Sequence, residues 1–289
     1  MSRAPGGSSG VNGSLMLAAA IQMESGPDFE RNMDRAVRLV ELARSRGAEL
    51  IALPENFSFL RVGDVPFLTH RLDSPLVRRL RELAGRLGIY LLAGSFHEEV
   101  PGADNMFNTS LLLGPDGAIL AAYRKIHLFD IELRDGHGFR ESARFQAGDD
   151  AVVCATPLTT FGLSVCYDLR FPELYRRLSA AGAEVLMIPS AFTEATGKDH
   201  WEVLVRCRAI ENLCYVIAPA LTGQPAPKIR NWGHSLIVDP WGNILAGAGE
   251  REAVITAEID RAYLLEKRRQ LPALDHRRLD IHPAGCPSN

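Results

Sequence analysis

The 289-residue sequence is poor in several features that would narrow its chemistry at once. It holds five cysteines, Cys154, Cys166, Cys207, Cys214 and Cys286, an odd number with no C-x-x-C pair. Neither a disulfide framework nor a zinc knuckle is indicated, and a reducing cytoplasm fits best. Neither sign of charge is in excess: the net charge is −3 with 23% charged residues, so no basic field is available to hold a nucleic-acid backbone. No apolar run is long enough to span a bilayer. Leu15–Ile21 is cut short by Gln22 and Glu24 without a cleavage site, so no membrane or export signal is expected. His127, His200 and His234 lack ligand spacing, and neither a metal nor an organic cofactor is expected.

What is present is an ordinary globular composition, 46% hydrophobic, long enough to bury a sizeable core. Residues 1–14, rich in Gly and Ser, read as a flexible leader. The basic stretch from Arg268 to Arg278, punctuated by Pro272 and followed by Pro283 and Pro287, reads as a tail. The expected organisation is one domain over residues 15–282 and a C-terminal tail over 283–289. Helical and strand patterns alternate: helices near Glu30–Arg46 and Leu76–Leu87, strands Leu50–Leu53 and Ile89–Ser95, then a hairpin through Gly114-Pro115-Asp116-Gly117.

The pattern then repeats. Gly47–Pro54 is echoed by Gly182–Pro189, Tyr90–Ala93 by Tyr215–Ala218, and Ser110–Gly117 by Ser235–Gly242, at offsets of 135, 125 and 125 residues. Ordered echoes imply two halves built alike, each a sheet covered by helices on one side. With one apolar face left per sheet, the two sheets should pack together, giving an α/β fold of α-β-β-α sandwich type. An ordinary doubly wound sheet is the alternative, disfavoured by the hairpins.

Three chemically able side chains fall at strand ends: Glu55 after Leu50–Pro54, Lys125 after Ile119–Arg124, and Cys166 after Phe161–Val165. Pro172-Glu173 starts a helix soon after Cys166, so the thiol sits on a strand-to-helix turn whose free N–H groups favour an anion. Each residue alone could be a capping acid, a solvated lysine or a buried thiol. Together they form a set for cysteine hydrolysis without histidine: Glu55 as base, Cys166 as nucleophile, and Lys125 with the Tyr167 N–H as oxyanion donors.

Leu53-Pro54-Glu55-Asn56-Phe57, Tyr123–Asp130 and Val165–Leu174, with spacings of 70 and 41 residues between the three key positions, resemble the nitrilase superfamily of carbon–nitrogen hydrolases over roughly residues 16–282. The resemblance implies a Glu-Lys-Cys set on an α-β-β-α sandwich. It also implies a second acid between lysine and cysteine, matched here by Glu141, which would otherwise be a surface acid. Cys166-Tyr167-Asp168-Leu169-Arg170-Phe171-Pro172-Glu173 is similar to the Nit-type amidases, a branch that includes ω-amidases and deaminated glutathione amidases. Pro189–Phe192, His200–Leu204, Arg206, Arg208–Glu211 and Gly233–Gly242 resemble the latter most.

The resemblance implies hydrolysis of a small linear amide carrying a carboxylate or oxo-acid end, deaminated glutathione first and α-ketoglutaramate second, through a thioester. Tyr167, Arg170, Phe192 and Thr196 are the expected substrate contacts, Arg170 gripping the carboxylate and Phe192 and Thr196 lining the pocket from a loop. Arg170 could instead pair with Glu173. Hydrolysis of a nitrile or carbamoyl amide, and an inert binding module, are the competing readings, the last disfavoured by the intact Glu55, Lys125 and Cys166. The superfamily resemblance also implies a homodimer built on helices near Pro172–Ala181 and Asp199–Asn212, the second carrying Trp201, Leu204 and Val205.

Overall fold

A computed structural model describes residues 15–132, 138–227 and 229–278; the leader 1–14, the tail 283–289 and Cys286 lie outside them. In chain order the first half comprises β1 (Leu15–Gln22), α1 (Phe29–Ser45), β2 (Leu50–Ala52), α2 (Pro75–Leu87), β3 (Tyr90–Leu92), β4 (Phe96–Glu99), β5 (Met106–Leu113) and β6 (Ile119–Arg124). A small ribbon, β7 (Asp130–Glu132) and β8 (Gly138–Arg140), follows. The second half comprises β9 (Val153–Ala155), β10 (Thr160–Leu163), α3 (Pro172–Ala180), β11 (Val185–Met187), α4 (Glu194–Asn212) and β12 (Tyr215–Ala218). The ribbon β13 (Thr222–Ala226) and β14 (Ile229–Trp232), then β15 (Leu236–Val238), β16 (Ile244–Gly247), β17 (Ala253–Asp260) and α5 (Arg261–Gln270), complete it.

The helices form where capping and spacing agree. Asp28 caps α1 by accepting from the Arg31 N–H at 3.1 Å, and Met33, Ala36, Leu39, Val40 and Ala43 make its buried stripe. In α2, Ser74 is the N-cap, Pro75 opens the first turn, and Gly88 closes the helix in the left-handed region.

The internal repeat seen in the sequence is a repeat of topology. One sheet runs β17-β1-β2-β3-β5-β4, with β6 also on β5; the other runs β16-β15-β12-β11-β10-β9. The parallel trio β1-β2-β3 followed by antiparallel β5 and β6 matches parallel β10-β11-β12 followed by antiparallel β15 and β16. Side-chain alternation then builds the layers. Ala18, Ala20, Leu50, Ala52 and Leu92 share a core with β10, β11 and β12, while Ala19, Ile21, Ile51 and Leu91 share another with α1 and α2. Leu174 and Leu178 of α3 and Trp201, Val205 and Ala209 of α4 pack on the second sheet, completing an α-β-β-α sandwich.

Two expectations need correction. Arg268 does not begin a tail: it lies in α5, where its guanidinium donates to the carbonyls of Ala183 at 2.7 Å and Leu213 at 3.0 Å. The preceding β17 returns to the first sheet, paired with all of β1 from Leu15↔Asp260 to Gln22↔Ala253. Trp201 and Val205, offered as an assembly face, are fully buried in the protein's own core; the exposed apolar residues of α4 are Val203 and Ile210.

Candidate active site

Cys166 opens a 3₁₀ turn, Cys166–Arg170, rather than entering α3 directly. Its φ of +48° is rarely adopted by a side-chain-bearing residue, and the surroundings hold it there. The Cys166 N–H donates to the Pro189 carbonyl at 3.0 Å. One residue earlier, the Val165 N–H donates to Asp168 Oδ2 at 2.8 Å. At the far end of the turn buried Arg208 donates twice to the Leu169 carbonyl, at 3.0 and 2.7 Å. As the second residue of the turn, Tyr167 has no carbonyl within it to receive its N–H.

Glu55 stands just beyond β2, where the chain turns sharply against the end of β3. Gly94 permits this: its φ is +42°, and a Cβ there would lie 1.9 Å from the Pro54 carbonyl oxygen. Lys125 follows β6, anchored by its N–H to the Asn108 carbonyl at 2.9 Å. Glu141 comes from the short 3₁₀ turn after β8. These separate segments converge so that Lys125 Nζ lies 3.0 Å from Glu55 Oε1 and 3.1 and 2.9 Å from Glu141 Oε1 and Oε2. Glu55 and Lys125 are only 3% and 2% exposed, so their pairing is little screened.

The two acids differ in what remains open on them. Glu141 accepts at Oε1 from Lys125 and Asn108 and at Oε2 from Lys125 and the Phe129 N–H. A carboxylate offers about four acceptor positions, so Glu141 is saturated. Glu55 Oε1 is likewise occupied, by Lys125 and by Asn108 at 2.9 Å, whereas Oε2 receives only the Ala191 N–H, at 2.8 Å. Glu55 lies near enough to Cys166 for its charge to act on the sulfur.

Burial, and next the Glu55 charge, push the Cys166 thiol well above its ordinary range, outweighing the opposing Lys125 charge. Both effects favour the protonated thiol, in keeping with the need for Glu55 as a base. Burial works against the Lys125 ammonium, but the Glu141 and Glu55 charges overcome it and hold the amine charged well above its usual range.

All eight residues singled out in the sequence line one cavity of about 530 Å³: Glu55, Lys125, Glu141 and Cys166 with Tyr167, Arg170, Phe192 and Thr196. Arg170 is not paired with Glu173. Its guanidinium lies 5.1 Å from the Phe192 ring centroid and 5.9 Å from that of Tyr167, and 3.2 Å from His200 Nδ1. Thr196 is not on a loop; α4 starts at Glu194, with Thr193 at the N-cap position. The Thr196-Gly197 pair disguises this first turn, yet Gly197 is needed because a Cβ there would meet Trp232 Cγ at 2.5 Å.

The sequence reading missed Asn108, Asp168 and His97. A signal existed for the first: Asn108-Thr109-Ser110 interrupts an otherwise apolar strand, and asparagine is depleted in strand interiors. Asp168 is fully buried and takes bonds from the Tyr123 hydroxyl, the Val165 N–H and the His127 N–H, with His127 Nδ1 2.7 Å away. It thereby ties the segment carrying Lys125 to the turn carrying Cys166.

Comparison with known proteins adds a family to this geometry. The carbon–nitrogen hydrolase family model matches residues 17–269. The chain is 47% identical over 270 residues to the deaminated glutathione amidase of Synechocystis sp., covering 90% of this chain and 97% of that one. It is 40% identical over 263 residues to the omega-amidase NIT2 of Xenopus tropicalis, covering 91% of this chain and 95% of that one. The crystal structure of the C. elegans NitFhit protein superposes with a TM-score of 0.85 at 38% identity, covering 93% of this chain and 66% of that chain.

Proposed function

The chain belongs to the carbon–nitrogen hydrolase family, and from that premise we propose that it is a cysteine-dependent amidase acting on a small linear amide with a carboxylate end, of the deaminated glutathione type. One observation carries this reading: a lysine held between two carboxylates beside a thiol, in one cavity with an arginine. Glu55 takes the Cys166 proton as sulfur attacks the amide carbon, forming the C–S bond. The oxygen that becomes negative is met by Lys125 and the Tyr167 N–H. Glu141, saturated by its donors, holds Lys125 rather than moving a proton. The tetrahedral centre collapses to a thioester as the nitrogen departs with the proton from Glu55. Water, deprotonated by Glu55, then releases the acid and restores the thiol.

Arg61, Arg140, Arg144 and Arg170 line the cavity, and among the described residues none has a carboxylate partner within ion-pair distance. Guanidinium groups without a carboxylate partner favour a substrate with acidic ends. The relatives' names point the same way, to deaminated glutathione with an ω-amide such as α-ketoglutaramate as the alternative. Cys166→Ala should abolish product release from either compound while keeping the fold. Retention of near wild-type turnover would refute the nucleophile assignment, and a preference for neutral amides or nitriles would refute the substrate class.

We propose further that the enzyme works as a homodimer in a reducing cytoplasm. Cys154, Cys166, Cys207 and Cys214 are free, no helix among the described residues is long and apolar enough to cross a membrane, and Val203 and Ile210 of α4 are 67% and 48% exposed. A monomer in sedimentation at micromolar concentration would refute the dimer.

A further inference from the structure

Asn108 is 1% exposed, and apart from Lys125 it alone among the described residues reaches both acids with its side chain, its Nδ2 lying 2.9 Å from Glu55 Oε1 and 3.3 Å from Glu141 Oε1. Ionised carboxylates only accept, so the amide must present its NH₂ group to them and turn its oxygen away. That oxygen is buried without a hydrogen-bond partner. An unsatisfied buried acceptor is disfavoured; here it accompanies an amide committed to loading two carboxylates.

The loading is asymmetric. With Lys125 and Asn108 both on Glu55 Oε1, that oxygen has no position left for a proton donor, while Oε2 keeps one beside the Ala191 N–H. We propose that Asn108 is a positioning residue that closes Glu55 Oε1, so that Oε2 is the atom through which Glu55 exchanges protons with the Cys166 thiol, the departing nitrogen and the hydrolytic water. Resting on the amidase reading, this specifies which oxygen of the base reacts. Each exchange balances: the thiol proton passes to Oε2, leaves on the nitrogen, and is replaced by one from water, which returns to sulfur when the acid is released.

Removing the amide frees Oε1 and withdraws a hydrogen bond that favours the ionised carboxylate, so Glu55 should become a stickier, less well-aimed base. Asn108→Leu keeps the branched shape and heavy-atom count of the side chain and discards the unpaired oxygen. It should lower kcat at least tenfold with KM within about twofold of wild type, and move the acid limb of the kcat/KM profile to higher pH, with the thermal midpoint not lowered. Asn108→Asp puts a third carboxylate against Glu55 and Glu141 and should be slowest near neutrality. On acidification its activity relative to wild type should rise, because a protonated Asp regains a donor. An unmoved acid limb in Asn108→Leu, or a loss that appears wholly in KM, would overturn the assignment. If wild type is active and Cys166→Ala is dead, such a result removes Asn108 alone; if Cys166→Ala stays active, the amidase mechanism itself fails.

Discussion

Tyr123 and Asp168 join the two halves of the molecule: the Tyr123 hydroxyl, at the end of β6 in one sheet, donates to Asp168 Oδ2 at 2.6 Å, in the turn that follows β10 of the other, and both residues are 0% exposed. Lys125 lies two residues from the first and Cys166 two from the second. The relative position of amine and thiol therefore depends on a contact outside the cavity.

Tyr123→Phe should leave a buried carboxylate oxygen short of one donor. The expected cost is about 1–3 kcal/mol in unfolding free energy, measured by denaturant titration, with a fall in kcat as the Cys166 turn loosens. An unchanged midpoint and unchanged turnover would show that the remaining donors suffice.

Glu141→Gln tests the saturated acid. An amide in its place cannot accept at both ends, so in either orientation its NH₂ group faces Lys125, together with the Asn108 amide or the Phe129 N–H. Turnover should fall on the order of a hundredfold, comparable to the loss of an oxyanion donor. If Glu141 were the proton-transferring base instead, Glu55→Gln would be the milder of the two variants in single-turnover assays.

Arg170→Ala tests substrate choice. Loss of an oriented ion pair costs on the order of 2–5 kcal/mol, so kcat/KM should fall at least about thirtyfold on α-ketoglutaramate and far less on hexanamide. Equal losses on both would place Arg170 outside the carboxylate site.

His97 supplies a pH dependence of stability. It sits among Phe59, Phe67 and Phe145, with ring centroids 5.9, 5.5 and 5.1 Å away, and its Nδ1 has no partner. Burial lowers its pKa to about 4. An unfolded histidine takes up a proton near pH 6.5, which the folded one refuses until about pH 4. The unfolded state thus binds more protons across that window, and stability is lost as pH falls through it. His97→Gln should reduce the difference in unfolding free energy between pH 7 and pH 4.5 by about 2–3 kcal/mol. An unaltered difference would mean that His97 is protonated in the folded protein.

Much of this architecture was legible because it is local. Leu50-Ile51-Ala52 and Val185-Leu186-Met187 are continuous apolar runs that only a strand buried on both faces explains. Their flanking residues repeat in order, and the repeat carried through to the order of both sheets. The same locality put Glu55, Lys125 and Cys166 at strand ends. What stayed hidden depends on distant partners. Thr196 looked like loop because Gly197 serves the Trp232 ring across from it, and Trp201 and Val205 looked free because nothing nearby in sequence shows the sheet that buries them.

By itself, then, the sequence determined the central strands β2, β3 and β11, the repeat and the three chemically able residues, since burial pattern and strand ends are set within a few residues of chain. Tertiary structure alone decided which carboxylate is saturated and which keeps an open oxygen. Asn108 is 53 residues from Glu55, and Ala191 is 136 residues away. A hydrogen-bond donor acts only within about 3 Å, and no pattern along the chain encodes an approach that short between segments that far apart.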